Sequence, residues 1–294
     1  MTHKSGFVNI IGFPNVGKST LMNTLVGERM SIITSKAQTT RHRIRGIVNG
    51  EDFQIVYSDT PGILDAKYKM QEGMMKFVNS AIKDADVFLL LTDIYENSEK
   101  LEPVLKKVEN SGIPIILLVN KIDEGEQEKV ADIISAWKER LPDHKVAPIS
   151  ALHGFNTAEL LEYIIEKLPE GEPFFPKDTL TDKPMRFFIS EIIREKILLN
   201  YKQEIPYSCE VVVEEYFDEE KIVKIRALII VNRDSQKAII IGQRGSAIKR
   251  VGIDSRKDIQ AFIEKKVHLE LFVKVDKDWR NDELKLKRFG YLGT

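Results

Sequence analysis

The 294-residue chain holds a single cysteine, almost no net charge and no long apolar run, and each scarcity closes a class of explanation. A lone Cys209 cannot pair within the chain, so the fold is not a disulfide-stapled scaffold; a reducing compartment and a buried thiol acting as a small hydrophobe are expected. The longest apolar runs, Val87 to Leu91 and Ile113 to Val119, fall far short of the ~20 residues that cross a bilayer. Met1 to Gly6 carries no apolar leader and runs straight into a strand-like segment, which makes a cytoplasmic protein the expectation. With 44 Lys+Arg against 45 Asp+Glu the chain as a whole is near neutral, but its halves differ. Residues 1 to 180 carry 21 basic and 26 acidic side chains, and residues 181 to 294 carry 23 and 19, so the formal charges are -5 and +4. Between Ser235 and Lys257 stand Lys237, Arg244, Lys249, Arg250, Arg256 and Lys257 against only Asp254. Such a stripe is either a solvated helix face or the footprint of a polyanion on one domain.

The composition is otherwise globular, and the length suits two domains. From Phe7 to Leu168 short β-branched runs alternate with helical patterns. The spacing predicts strands over Phe7 to Gly12, Arg43 to Val48, Phe53 to Asp59, Asp86 to Thr92, Ile113 to Asn120 and Lys145 to Ser150, with helices including Glu99 to Asn110, Glu126 to Leu141 and Thr157 to Leu168. That order implies an α/β fold with a mostly parallel, doubly wound sheet; Asn49-Gly50 adds one antiparallel edge strand through a tight turn. Pro169, Pro173, Pro176 and Pro184 mark a stiffened linker. Beyond it a helix (Phe188 to Asn200), two strands (Cys209 to Tyr216, Ile222 to Val231), helical material (Ser235 to Lys266), a strand (His268 to Val275) and a terminal helix (Asp282 to Gly290) read as a small α+β domain. The expected division is 1–170, a linker over 171–186, and 187–294.

Gly12-Phe13-Pro14-Asn15-Val16-Gly17-Lys18-Ser19 fits G-x-x-x-x-G-K-S/T between the first strand and the helical run that opens at Thr20. Successive N–H groups of such a loop wrap phosphates, the helix N-terminus adds partial positive charge, Lys18 reaches the β and γ oxygens, and the Ser19 hydroxyl suits Mg²⁺. Three more segments end predicted strands, where doubly wound folds bind ligands. Asp59-Thr60-Pro61-Gly62 offers a carboxylate near the metal and a Gly62 N–H for the γ-phosphate. Asn120-Lys121-Ile122-Asp123 offers a carboxylate that accepts from guanine N1–H and its amine, and Ser150-Ala151-Leu152 offers a backbone N–H for guanine O6. Each alone is a common surface turn; in this order they specify a guanine nucleotide. Ile63, directly after Gly62, cannot orient water, so a slow, switch-like hydrolase is expected.

This set resembles the translation-factor-related GTPases, and Pro14 to Ser19 with Asp59 to Gly62 is similar to their Era and TrmE branch. Thr39-Thr40-Arg41 is similar to the switch I signature. The resemblance implies Thr40 as the second hydroxyl on Mg²⁺, with Thr39 the alternative, and gives Asn15 two readings, the seat of a potassium ion or only a cap of the loop. Lys18, Thr40, Asp59 and Gly62 are then the residues expected to carry catalysis. Gly242-Gln243-Arg244-Gly245 is a G-x-x-G between helical segments, preceded by an apolar run and followed by Lys249 and Arg250. It resembles the loop of KH modules, in the element order of the prokaryotic type, where glycines let a nucleic-acid backbone approach. A GTPase of this branch joined to a KH domain is the Era arrangement, and Ser190 to Lys196 and Val267 to Leu271 extend the likeness over nearly the whole chain; Phe13, where the family often has Arg, departs from it. The resemblance implies GTP and GDP as ligands, binding to the 3′ end of small-subunit ribosomal RNA and work in maturing the 30S-type subunit; a monomer is the separate expectation, with peripheral association with the inner face of the membrane left open beside it. A non-catalytic RNA-binding scaffold and a membrane-peripheral cell-cycle GTPase are the competing readings. The first is opposed by the intact Lys18, Ser19, Asp59 and Asp123, the second by the lack of a basic amphipathic anchor with exposed aromatics.

Overall fold

Val87–Asp93 and Ile115–Asn120 are buried at every position, the mark of strands covered on both faces. The computed structural model, which describes residues 2–96 and 98–292, places them at the heart of a six-stranded sheet. Its strands are β1 (Lys4–Gly12), β2 (Ile44–Asn49), β3 (Phe53–Asp59), β4 (Val87–Asp93), β5 (Ile115–Asn120) and β6 (Lys145–Pro148), in the order β2-β3-β1-β4-β5-β6. Every neighbouring pair is parallel except β2 and β3, whose Asn49-Gly50 turn closes with Gly50 N–H donating to the Phe53 carbonyl at 2.9 Å. The helices are α1 (Lys18–Val26), α2 (Lys69–Lys83), α3 (Ser98–Glu109), α4 (Gln127–Arg140) and α5 (Thr157–Lys167). Phe88, Leu90, Leu117 and Val119 from the strands pack with Leu101, Leu105 and Trp137 in one continuous core. Because the chain runs from β1 to one side of the sheet for β3 and to the other for β4, the carboxyl end of β1 is a switch point, where such folds open a crevice.

Two features go beyond the sequence-based reading. Helix α2 adds to the three helices named from the spacing, with Met70, Met74, Val78 and Ala81 recurring at helical intervals and buried. The proline-rich stretch is a strap rather than a spacer, because prolines remove donors but leave carbonyls free to accept. Gln54 exchanges two hydrogen bonds with the Phe175 backbone (2.8 and 2.9 Å), Ser5 Oγ donates to the Glu172 carbonyl (2.7 Å), Asn49 Nδ2 to that of Lys177 (3.1 Å) and Ile47 N–H to that of Leu180 (2.9 Å). The strap thereby covers the open edge of β2, which an exposed sheet edge needs.

By internal contacts the chain forms two units, Met1–Ser31, Thr40–Asp65 and Met74–Asp182 in the first, and Ile32–Thr39, Ala66–Gly73 and Lys183–Thr294 in the second. The second contains α6 (Met185–Asn200), α7 (Ile205–Ser208), β7 (Cys209–Asp218), β8 (Val223–Val231), α8 (Asp234–Ile241), α9 (Ser246–Ile263), β9 (Val267–Val275) and α10 (Glu283–Arg288). Its three strands run β7-β8-β9, antiparallel then parallel, and Ile189, Ile193, Ile197, Ile240, Val251 and Ile259 from the helices close over Val211, Ala227 and Ile229. Cys209 is a fully buried thiol, as expected of a small hydrophobe. Among the described residues no helix is long and apolar enough to cross a membrane.

Candidate functional site

The loop from Gly12 to Gly17 leaves β1 at the switch point and enters α1 without a side-chain cap. Gly17 has φ 100°, and a Cβ there would stand 2.2 Å from Asn120 Nδ2, so no larger residue fits. Asn15, exposed, also takes a left-handed φ of 68°. The buried Lys18 ammonium donates to the Phe13 carbonyl at 2.7 Å. Burial pulls its pKa down to about 8, against the upward pull of Asp59 and Glu96.

Three oxygens expected around a metal converge. Ser19 Oγ lies 2.8 Å from Thr40 Oγ1 and donates to Asp59 Oδ2 at 2.7 Å, while Thr40 Oγ1 lies 3.3 Å from the same oxygen. Adjacent ligands of an octahedral Mg²⁺ are about 3 Å apart, given Mg–O of about 2.1 Å, so the two hydroxyls already stand at a ligand-to-ligand spacing. Among the described residues Asp59 Oδ1 is buried without a well-formed hydrogen bond, and burial raises the pKa of this carboxyl while the Ser19 hydroxyl, Lys18 and the Ser31 and Thr40 hydroxyls oppose the rise. A divalent cation with its water shell is what such an orphaned oxygen fits. Thr39, the alternative, turns away: its Oγ1 meets Thr34 Oγ1 and donates to the Lys36 carbonyl, each at 2.6 Å.

Gly62 lies against Pro14 of the loop, and Ile63 N–H donates to the Gly12 carbonyl at 3.3 Å, which ties the Asp59 to Gly62 turn to the phosphate-binding loop. The Ile63 side chain packs on the apolar core and offers no polar atom to water. Thr60 is buried with its hydroxyl donating to the Ile10 carbonyl at 2.9 Å, so its side chain is spent within the sheet. Asn120 is a brace, Nδ2 donating to the Val16 carbonyl at 2.8 Å and Oδ1 accepting Ala151 N–H at 2.9 Å. The Ala151 N–H, a candidate for guanine O6, is therefore engaged by Asn120. Leu152 is largely exposed at the same rim. The Asp123 carboxylate lies 3.6 Å from His153 Nε2, and Lys121 turns through a left-handed φ of 62° with its ammonium on Asp93 at 2.5 Å. Asp93 was not singled out from the sequence, where a lone Asp at a strand end carries no signal.

In the second unit the expected helical stretch is broken between α8 and α9. Gly242 (φ 72°) and Gly245 (φ 76°) both take left-handed backbone, and a Cβ on Gly242 would stand 2.6 Å from that of Ala247. Gln243, Arg244, Lys249 and Arg250 are exposed around the start of α9, as are Arg256 and Lys257 further along it. Ile239 and Ile253 on the same two helices are half exposed, giving apolar surface among the cations.

Family models for a 50S ribosome-binding GTPase and for a KH domain match residues 7–121 and 204–280. GTPase Era of Geotalea daltonii is 42% identical over 98% of this chain and 97% of its own. The chain belongs to the Era family of GTPases. An Era relative from rice, described as GTPase ERA-like, chloroplastic, is 43% identical over 99% of this chain and 70% of its own length. Two Era crystal structures, one from Aquifex aeolicus bound to GDP·AlF4⁻ and one in complex with MgGDPNP and nucleotides 1506–1542 of 16S ribosomal RNA, each superpose with a TM-score of 0.93 at 38% identity, covering 98% of this chain and 99% of theirs. Like the rest of the Era family, this chain is a GTP-hydrolysing enzyme with a P-loop domain followed by a KH domain.

Proposed function

We propose that this Era-family GTPase is a Mg²⁺-dependent switch whose nucleotide state controls engagement of the 3′ end of small-subunit ribosomal RNA during maturation of the 30S-type subunit. The observation that carries the reading is the meeting of Ser19, Thr40 and Asp59 beside Lys18 at the sheet's switch point. Gly12, Asn15, Val16, Gly17, Lys18, Ser19 and Thr20 would hold the phosphates; Asn120, Lys121, Asp123 and Ser150 to Leu152 would hold the base. Ser19 and Thr40 would bind Mg²⁺, which supplies charge to the β- and γ-phosphate oxygens. On the RNA side, Gly242, Gln243, Arg244 and Gly245 admit a phosphate backbone beside Lys249 and Arg250. A crystal structure of an Era bound to MgGDPNP and the 3′ segment of 16S RNA supports both halves of the reading. The expected division at 1–170, 171–186 and 187–294 is shifted in this reading, the strap being taken with the GTPase unit as far as Asp182 and the KH-bearing unit from Lys183. A cytoplasmic monomer is the working picture, and liposome flotation tests peripheral membrane association.

Since Ile63 cannot order water, charge or positioning comes from another group, and a potassium ion held by Asn15 is our candidate. The experiment is GTP turnover in Mg²⁺ with potassium or sodium chloride at equal ionic strength. The reading expects turnover that chelation of Mg²⁺ abolishes and that potassium speeds. Absence of turnover would return the chain to a passive RNA-binding scaffold, and equal rates in the two salts would leave Asn15 only a loop-shaping role.

A further inference from the structure

The structure assigns Asp93, at the carboxyl end of β4, as a positioning residue for guanine recognition, acting through Lys121. The inference rests on the guanine-site reading above and deepens it. Asp93 and Asn120 are register partners on β4 and β5, so the carboxylate stands beside the first residue of the Asn120 to Asp123 turn. Both of its oxygens are engaged and the side chain is buried: Oδ1 accepts Tyr95 N–H at 3.0 Å, and Oδ2 takes the Lys121 ammonium at 2.5 Å. The Tyr95 ring lies 5.8 Å below the same ammonium, within cation–π range. Lysine has no intrinsic preference for the left-handed backbone that Lys121 adopts at φ 62°, and a residue in that region persists only where its surroundings hold it. Here the hold is a carboxylate fixed on a strand of the sheet, aligned by its own short turn.

The consequence lies two residues on. The left-handed step at Lys121 is what carries the chain into the 3-10 turn Ile122–Glu124 and so sets where the Asp123 carboxylate points. If Lys121 loses its anchor, the turn samples other conformations and Asp123 meets guanine less often. That is a loss of binding, not of chemistry, because the bonds of Lys18, Ser19, Thr40 and Asp59 run to Phe13 and to one another rather than to Lys121.

The test is a double-mutant cycle on the full chain with Asp93→Asn, Lys121→Ala and both together, titrating a fluorescent GDP and following GTP turnover. Asp93→Asn is expected to weaken GDP roughly tenfold, the size of one charge-assisted hydrogen bond, raising KM for GTP with kcat unchanged. Lys121→Ala should weaken it at least as much, and the double variant no further than Lys121→Ala alone. Unchanged GDP affinity in Asp93→Asn, or losses that simply add in the double variant, would overturn the assignment. Unchanged affinity in Lys121→Ala would instead remove Lys121 from the site and sink the underlying reading. If Asp93→Asn does not fold, Asp93→Ser supplies the same cycle.

Discussion

Two side chains in the nucleotide site have consequences that titration and substitution can reach. Lys18 is buried and its pKa in the free protein lies at about 8. Phosphates would favour the ammonium, so a nucleotide-bound Lys18 keeps its proton to higher pH. The sign follows: as pH rises above about 8 the free site loses a proton that the complex retains, GDP binding must take it back up, and affinity falls. Calorimetry at pH 8.5 in two buffers of different ionisation enthalpy should therefore show proton uptake on binding. Lys18→Arg, whose guanidinium does not titrate there, should not; equal uptake in both proteins would place the proton elsewhere. Asp123 is the second. In the proposed base site its carboxylate would accept from guanine N1–H and the 2-amino group, so Asp123→Asn is expected to weaken GTP on the order of a hundredfold, two charge-assisted hydrogen bonds, and to shift preference toward xanthosine triphosphate, whose 2-oxo group suits an amide donor. Unchanged GTP affinity in that variant would take Asp123 out of the base site.

At the scale of elements, the G-x-x-G loop can be tested more cleanly than its symmetry suggests. A side chain at Gly242 collides with Ala247 at the start of α9, so a substitution there disturbs the helix itself, whereas the Gly245 position opens on empty space with only its left-handed φ to resist a side chain. Gly245→Asp with Arg244→Asp is therefore expected to abolish RNA binding while GTP hydrolysis without RNA persists. Retained RNA affinity would mean that the basic stripe acts elsewhere. What the sequence disclosed about these elements was uneven, for physical reasons. The segments from Gly12 to Ser19, Asp59 to Gly62 and Asn120 to Asp123 were legible because each backbone conformation or ligand contact demands particular residue types, and the alternation of strands and helices from Phe7 to Leu168 followed from periodicity. As hydroxyls Thr39 and Thr40 are alike; the resemblance favours Thr40, and the fold brings its Oγ1 to Ser19 while Thr39 Oγ1 meets Thr34. The strap was illegible because its bonds join main-chain atoms from Glu172 to Leu180 to side chains and backbone far away in the chain, leaving no local pattern. The ion pair of Asp93 with Lys121 was hidden for the same reason, its partners being 28 positions apart.

For the whole molecule, the central question is whether the nucleotide speaks to the RNA. Residues Ile32–Thr39 and Ala66–Gly73 fall within the segments, about Glu28 to Arg43 and Asp59 to about Lys76, expected to order around a γ-phosphate and relax on its loss; by internal contacts they belong to the same unit as Lys183–Thr294. If these segments do respond to the nucleotide, they are ones grouped by internal contacts with the KH fold. By linkage, whatever factor separates the RNA affinities of the GTP and GDP forms must equally separate the nucleotide affinities of the RNA-bound and free forms, and ~1–3 kcal/mol, roughly 5- to 150-fold, is the usual size. The GTP form is expected to bind more tightly, since hydrolysis then serves as the release step. The direct measurement is a titration of labelled RNA ending in the small-subunit 3′ sequence against protein loaded with a non-hydrolysable GTP analogue or with GDP. A tighter dissociation constant for the analogue-loaded protein is the predicted result; identical constants would show two independent modules and contradict the account.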